Sequence, residues 1–600
     1  MMRGRYRNHN LKKLTHRTRL RNAIYLDTEA YRHWIKLDTE RQTLRLGAAV
    51  HVSRDKDLKW SKGTWCQFNT METINKFVIS KARAKCPVHV FAHNMEYDAR
   101  MCGFLKILPE KGFKMRKYMF GEGPFYFKFV RGEQTINLVC SLNHFSTSLE
   151  ELGETFGYAK GVMPDYMASD LEWLYYCRQD VKVLRNVIER YEEWLHETDY
   201  GPLQISVASQ SFHAFKKCFM KHDMYLHIDQ DALEMADKAY YGGRTEMFIK
   251  GPSTEDGYYC DVNAMYPYAM RDLNAPIQFR DHYKEPGDQL VNRSLERGPV
   301  IGHVSVDVPG GILPSVIDNV LAWREGRYET YLADAEFRYA WENGYITNVH
   351  SLCTYKGAKV FTEFVDEIYA YRQEAKENGD EVLSMLYKML MNSLYGKFAQ
   401  RKYETAYVRD CPLDMIQRQP LATLEKGRIG HRNWFCGQVT DSWKEGFGRE
   451  AMPEIAACVT SKARMMMLEH FKRAGFENVA YTDTDSLIVT PEGYRRLGSP
   501  TKSSELGALC LEAGPAPYNI NGNKDYSFGD YRKLKGVRSN AIEVSPNNYT
   551  HETWRRLGGS MVSGDLCSVI IEHGYKFLTG EYSKGHAPAI SGRVRPLRAD

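Results

Sequence analysis

The chain has 600 residues, too many for one hydrophobic core, so several subdomains are expected. Its 43% hydrophobic and 12% aromatic content excludes a largely disordered protein, and no uninterrupted apolar run reaches membrane-span length. The 13 cysteines include no C-x-x-C pair, which argues against a structural zinc site or a disulfide framework and suits a reducing compartment.

The first 21 residues, MMRGRYRNHNLKKLTHRTRLR, hold eight Lys/Arg and no acid. Without them the chain has 73 basic against 75 acidic residues, so its excess positive charge sits in this arm. The arm has no continuous apolar stretch and is not a secretory signal; it reads as a solvated, nucleic-acid-binding segment.

From residue 24 to 200, strand-like runs (AIYLDTEA, PVHVFAHN, PFYFKFV, TINLVC) alternate with helix-like ones (METINKFVISKAR, SDLEWLYYCRQDVKVLRNVIERYEEWL). That alternation predicts an α/β domain. Asp27 and Glu29 close the run AIYLDTE, where a period of two projects both carboxylates from one face, as a shared divalent cation requires. The same letters recur at 37–40, followed by RQTLRL, and there they read as an exposed hairpin turn. The buried run VHVFA delivers Asn94, Tyr97 and Asp98 to a strand end. Tyr176 and Asp180 lie four apart on one helix face.

Residues 361–400 predict a helical hairpin, FTEFVDEIYAYRQEAK and EVLSMLYKMLMNSLYGKFAQ, turned by Asn-Gly within ENGD. Arg372 and Lys376 are one turn apart on the first helix. Lys388, Asn392 and Tyr395 fall on one face of the second, opposite Leu383, Leu386, Leu390 and Leu394. The cations suit a triphosphate held in a shared groove. Residues 401–450 are polar and read as an irregular insertion.

Two further stretches carry acids in apolar surroundings. YYCDVNAMYPYAM is a strand ending at Asp261, with Pro267 stopping regular pairing; YTDTDS is a hairpin whose tip puts Asp483 and Asp485 on one face. Two unpaired buried carboxylates repel and are costly to desolvate, and divalent cations with oxygen ligands remove that penalty. With Asp261 from another strand, the pattern points to a two-metal site for phosphoryl transfer.

In this order the motifs resemble known families. D-x-E, N-x-x-Y-D and Y-x-x-x-D look like a DEDDy proofreading exonuclease. The resemblance implies Asp27, Glu29, Asp98 and Asp180 as metal ligands and Tyr176 as the residue that orients the attacking water. Ser141, Leu142 and Lys160 match phage positions that contact a single-stranded 3′ end and the scissile phosphate, with Cys140 where those relatives often have aspartate.

D-x-x-A-M-Y-P, K-x-x-x-N-S-x-Y-G and Y-x-D-T-D-S resemble motifs A, B and C of family B DNA polymerases. YYGGR matches the Y-x-G-G linker through Tyr240, Gly242 and Gly243. This resemblance implies Asp261, Val262 and Asp485 at the metals, with Asp483 beside them. It implies Tyr266, Val262, Arg372, Lys376, Lys388, Asn392 and Tyr395 at the nucleotide. Asn94, Tyr97, Tyr240, Gly242, Gly243 and Lys535 would contact DNA, although Gly536 stands where phage relatives have a tyrosine near a lysine.

The implied fold is α/β and α+β multidomain, an RNase H-like exonuclease domain followed by a right-hand polymerase. The expected divisions are the basic arm at 1–23, exonuclease at 24–200 and palm at 201–300. Palm continuation or a terminal-protein-region insertion follows at 301–360, fingers at 361–400, a second insertion at 401–450, palm at 451–535 and thumb at 536–600.

The first exonuclease carboxylate is residue 27, so the plan resembles the compact, protein-primed enzymes of bacteriophages and linear plasmids. It implies two Mg²⁺ per site (or Mn²⁺), primer–template DNA, dNTPs, a terminal protein, a monomer without membrane association, and a host-cell cytoplasm or organellar matrix. The second insertion and the C-terminal region are expected to close around the duplex. The alternatives are a primer-independent or conventionally primed relative, a stand-alone nuclease, and a catalytically silent DNA-binding scaffold.

Overall fold

The computed structural model describes residues 8–121, 123–423, 428–538, 540–580, 584–588 and 591–599. The first seven residues of the basic arm lie outside them. The rest of the arm is anchored at a few points, while most of its residues stay exposed. A strand at His9–Asn10 pairs with Tyr225–Leu226, Leu11 and Leu20 are buried, and Arg19 forks onto the buried Glu192 at 2.7 and 3.1 Å. Two leucines and one well-placed arginine outweigh the repulsion among the remaining cations.

The first domain is built on a mixed sheet. Strands β1 (Asn22–Lys36) and β2 (Thr39–Ser53) form a long hairpin whose exposed tip is Leu37-Asp38, so the second LDTE is a turn as expected in its first half, while Thr39 and the buried Glu40 already belong to β2. Strand β3 (Val88–Ala92) runs parallel to β1 and is followed directly by helix α1 (Met95–Met101). Strand β4 (Gln134–Cys140) continues the sheet beside β3, also parallel. Buried on both faces, these strands read as unbroken apolar runs instead of alternating ones. Helix α2 (Asp170–Glu197) starts at a capping box of Ser169 and Glu172 and packs its apolar stripe, including Trp173, Val181 and Leu184, against β1 and β2.

The second sheet carries the other acidic strands. Strand β5 (Gly257–Val262) turns at Ala264, whose φ is 51°, into helix α3 (Met265–Arg271). Pro267 therefore lies early in a helix, where its missing N–H costs nothing, and does not mark a strand end. Residues 275–358 leave this sheet. Their four long strands join a separate nine-stranded layer with a core of its own, among it Val304, Leu332, Phe337 and Leu352. The long strands of that layer begin at Ala275, before residue 301, with Tyr225–Leu226 and His9–Asn10 at its edge, and the layer shares no ladder with β5.

Helices α4 (Thr362–Glu377) and α5 (Glu381–Asn392) form the expected hairpin, turned at Gly379 with φ of 68°. Residues 401–450 are not irregular. They fold as a four-stranded antiparallel sheet that seats Phe435 and Cys436 in the core of the first domain. Alternating polar and aromatic residues, as in Arg401–Asp410, had disguised these solvent-facing strands as loop.

Helix α6 (Pro453–Ala474) is buried along most of its length and shares a core with the sheet of β5. That sheet is completed by β6 (Val479–Asp483), β7 (Ser486–Val489), β8 (Leu509–Ala516) and the short strand Thr245–Met247. The strands at 518–533 then form a further sheet with Ile249–Pro252, both segments lying within the spans expected to be palm.

The last segment is more dispersed than one thumb. Helix α7 (Leu557–Val562) packs on Gln417–Thr423 of the four-stranded sheet, so the insertion and the C-terminal region do meet. Strand β9 (Val569–Phe577) pairs with β2, extending the first domain's sheet. Arg595–Ala599 joins the nine-stranded layer.

One buried ion pair ties that layer to α6. Arg464 meets Glu336 at 2.7 and 2.9 Å, with the side chains 4% and 2% exposed, and also donates to the carbonyls of Tyr241 and Gly242. Removing one partner strands the other charge. Arg464→Met is expected to lower unfolding free energy by about 3–5 kcal/mol, and Arg464→Met with Glu336→Leu to recover most of it, in denaturant unfolding.

Candidate active sites

Four carboxylates meet in the first domain. Asp27 and Glu29 come from β1, Asp98 from α1 and Asp180 from α2. Burial and the charges of Asp98, Glu29 and Asp180 raise the Asp27 carboxyl well above its ordinary range. Burial and Asp180 push Glu29 up to about 8. Burial pushes Asp98 up to about 7, against a 2.7 Å hydrogen bond from the Thr28 hydroxyl. Burial likewise raises Asp180 to about 6, opposed by Lys160 at 3.2 Å.

The flanking residues divide. Burial alone would lower the Lys160 ammonium, but Tyr176 and Asp180 outweigh it and raise it; the ammonium lies 5.1 Å from the Tyr176 ring centre. Tyr97 donates to Gln42 at 2.8 Å, and Asn94 caps α1 without using its side chain. Leu142 is exposed, but Ser141 is fully buried with its hydroxyl on His93 at 2.9 Å. The expected DNA contact by Ser141 is therefore not presented, because the oxygen is already engaged inside the fold.

The second site rests on one ladder. Strands β5 and β7 pair antiparallel with Asp261 opposite Ser486, and Val262 N–H donates to the Asp485 carbonyl at 2.9 Å. Burial, Asp485 and Glu512 push the Asp261 carboxyl up to about 7, with Lys388 opposing. Burial also raises Asp485. Asp483 does not act with them as a matched pair. Its carboxylate accepts from Lys524 at 2.7 and 2.8 Å and from Thr245 at 3.0 Å. Thr484 between them has φ of 70°, so the turn breaks the simple period-two reading.

The Y-x-G-G linker lies flush against both motifs. A Cβ on Gly243 would stand 2.6 Å from Thr484 Cγ2 and 3.0 Å from the Tyr266 hydroxyl, so only glycine fits. Gly242 has open space there; what it contributes is its carbonyl, bonded to Arg464. Tyr240 is half-buried beside Tyr395 and Tyr266.

On the helical hairpin, burial, Arg372 and Lys388 together lower the Lys376 ammonium, so the three cations face one another. Lys388 also reaches the field of Asp261, which aims the cluster at the catalytic strands. Asn392 ends α5, and Tyr395 starts a separate short helix, Tyr395–Phe398. The three residues thus do not share one continuous helix: Ser393 bonds back to the Met389 carbonyl at 2.7 Å and the helix breaks. The break lets Tyr395 stack on Tyr266, with ring centres 4.6 Å apart and planes within 8°.

Sequence reading missed Glu512 and Lys524. Glu512 lies on β8, a strand with no motif. Lys524 follows an Asn-Gly-Asn turn, and two residues on Tyr526 packs 4.7 Å from Tyr481. Lys535 is exposed on the turn that follows Tyr531–Lys533.

Type B DNA polymerases of the organellar and viral kind match residues 168–411, a stretch that holds Tyr176, Asp180, Asp261 and the whole of Lys388–Tyr395. The chain resembles this family over that stretch. It is 28% identical to the DNA-directed DNA polymerase of Enterobacteria phage PRD1 over 48% of its length, and 25% identical to a probable DNA polymerase of Neurospora intermedia over 59%. It spans 49% of the first and 37% of the second. In fold it is similar to Phi29 DNA polymerase complexed with primer-template DNA and incoming nucleotide substrates, with a TM-score of 0.64 at 14% identity. That likeness covers 93% of this chain and 100% of the other.

Such polymerases imply divalent metal, and the donor sets suit a hard cation. Every candidate side-chain ligand is a carboxylate, with the Val262 backbone beside them, and Asp180 keeps one buried oxygen with no hydrogen bond. Among the described residues no three acidic, His or Cys groups already stand as a metal cage; Thr28, Lys160 and Lys524 instead engage Asp98, Asp180 and Asp483.

In cation-free buffer these carboxyls hold protons that unfolded ones release. Their stabilisation is full below about pH 4 and is lost as pH rises through 6 to 8. Calorimetric melting points should therefore fall across that range, and Mg²⁺ should restore them most at the alkaline end. Equal Mg²⁺ effects at both ends would contradict this electrostatic picture.

Proposed function

We propose that the chain is a DNA-directed DNA polymerase with an intrinsic 3′→5′ exonuclease, acting on primer–template DNA with dNTPs. The observation that carries this is the β5–β7 ladder, which sets Asp261 beside Asp485 under Arg372, Lys376 and Lys388, in a chain that holds a second carboxylate cluster on another sheet.

Two Mg²⁺ ions per site, or Mn²⁺, would be held by Asp261, Val262 and Asp485 in one and by Asp27, Glu29, Asp98 and Asp180 in the other. Bound there, they would activate the attacking oxygen and neutralise charge at the phosphoryl group. The protein supplies the rest. The three finger cations clamp a triphosphate, and Lys160 and Tyr176 orient the water for hydrolysis. The Tyr266–Tyr395 stack forms a flat floor where a sugar would lie. Lys524, held on Asp483, is positioned for the primer end.

Initiation on a terminal protein, in replication of a viral or plasmid genome within a host cell, is supported by the two extra sheets at 275–358 and 401–450, on either side of the finger helices. A conventionally primed enzyme would lack that requirement. Primed DNA, unprimed DNA and a candidate terminal protein offered in parallel distinguish the two.

The activities should separate. Asp485→Ala or Asp261→Ala is expected to abolish nucleotide addition and leave 3′→5′ degradation, while Asp27→Ala with Glu29→Ala does the reverse. Loss of both activities in a folded single-site variant would sink the two-site reading.

Tyr266 should exclude ribonucleotides, because a 2′-hydroxyl would collide with a ring fixed by its stack on Tyr395. Tyr266→Val is expected to relax rNTP/dNTP discrimination by about tenfold or more while dNTP addition persists. An unchanged ratio in steady-state kinetics removes Tyr266 from this role.

A further inference from the structure

Helix α1, which carries Asp98, is gripped by chain more than four hundred residues away. Glu96 and Arg100 are four apart and share the face of α1 opposite Asp98. Glu96 is 4% exposed; its Oε1 accepts from Leu557 N–H at 2.6 Å and its Oε2 from Arg556 Nη1 at 3.2 Å. Arg100 is 0% exposed. It donates to the Arg555 carbonyl at 2.8 Å, to the Ser560 hydroxyl at 2.6 Å and to the Ser568 carbonyl.

Between them, Tyr97 bonds Gln42 on β2, and Gln42 pairs in the sheet with Val569 of β9. Three side chains of one seven-residue helix thus refer its position to the segment 555–569. That segment is itself wedged against the four-stranded sheet, where a Cβ on Gly558 would stand 2.7 Å from Arg418.

Simple adhesion would be served as well by apolar side chains, since a buried charge is an inefficient way to gain stability. A forked guanidinium bonded to two carbonyls and a hydroxyl fixes where a helix sits, and that is a geometric function. We propose that Glu96 and Arg100 are positioning residues of the exonuclease site: by docking α1 on the C-terminal segment they hold Asp98 where it joins Asp27, Glu29 and Asp180 around the cation. This rests on the exonuclease reading above. It makes proofreading dependent on a segment that also touches the insertion, while the polymerase carboxylates, on another sheet, are independent of it.

The test uses the full chain. In an Asp261→Ala/Asp485→Ala background, which leaves the first-domain cluster as the site studied, Mn²⁺ binding is measured by calorimetry for Arg100→Met, Arg100→Lys and Glu96→Gln. Arg100→Met is expected to weaken Mn²⁺ binding about 10- to 100-fold, as loss of an outer partner does, with Arg100→Lys and Glu96→Gln falling between it and the parent.

With Asp261 and Asp485 intact, the same substitutions should raise the Mn²⁺ concentration for half-maximal 3′ degradation of a single-stranded oligonucleotide by a similar factor. Nucleotide addition should stay within about twofold. A role in stability alone would lower the melting point and both activities together and leave Mn²⁺ affinity unchanged; that result overturns the proposal. If the parent binds Mn²⁺ and Arg100→Met weakens it, yet no degradation occurs in any variant, the exonuclease reading fails and the positioning role stands.

Discussion

Like charges gather inside a protein only where something stronger holds them, and this molecule does so twice. Four carboxylates share one pocket and two, with Glu512 close by, share another; in each, burial and mutual repulsion drive protons on or demand a cation. The force that holds them is the backbone ladder. Asp27 and Glu29 ride a strand paired along its length to β2, and Asp261 is locked opposite Ser486 by the β5–β7 pairing. Ladder hydrogen bonds and the apolar cores beneath them are indifferent to side-chain charge, so they can oppose it. Thr28, Lys160 and Lys524 relieve part of the repulsion, and a divalent ion would relieve the remainder.

The two pockets stand on different sheets, and the chain stitches those sheets together by returning to places it has left. The basic strap at 8–21 bridges from the first domain to the strand at Tyr225–Leu226; the C-terminal strands return to β2 and to the nine-stranded layer. Buried ionic contacts mark each junction: Arg19 on Glu192, Arg464 on Glu336, Arg100 on the carbonyls of the C-terminal segment. Their hydrogen bonds are directional, so they define relative position where apolar packing alone would permit sliding.

Much of the chemistry was legible in the sequence, because strand periodicity places side chains in advance of any fold. Asp27, Glu29, Asp98, Asp180, Asp261 and Asp485 were identified from spacing and surrounding apolar runs, and the structure brings them into their two groups. The helical hairpin with Arg372, Lys376 and Lys388 followed from helical periodicity and an Asn-Gly turn. These are local properties, set within one strand or one helix. The resemblance to type B polymerases added order to motifs that were weak alone.

What the sequence left undecided depended on contacts between distant residues. Period two put Asp483 with Asp485, but Lys524, beyond the hairpin, holds Asp483, and a positive φ at Thr484 turns the chain between them. Helical spacing carried α5 through to Tyr395, whereas the backbone breaks so that Tyr395 can stack on Tyr266. Ser141 looked available and is buried under His93. The polar 401–450 segment looked irregular because only one face of its sheet meets a core, and the basic arm gave no sign of its anchors because Glu192 and the strand at Tyr225–Leu226 lie far along the chain. The sequence by itself determined which groups could do chemistry; the tertiary structure decided which of them face one another, since facing is set by burial and pairing across hundreds of residues that no local pattern records.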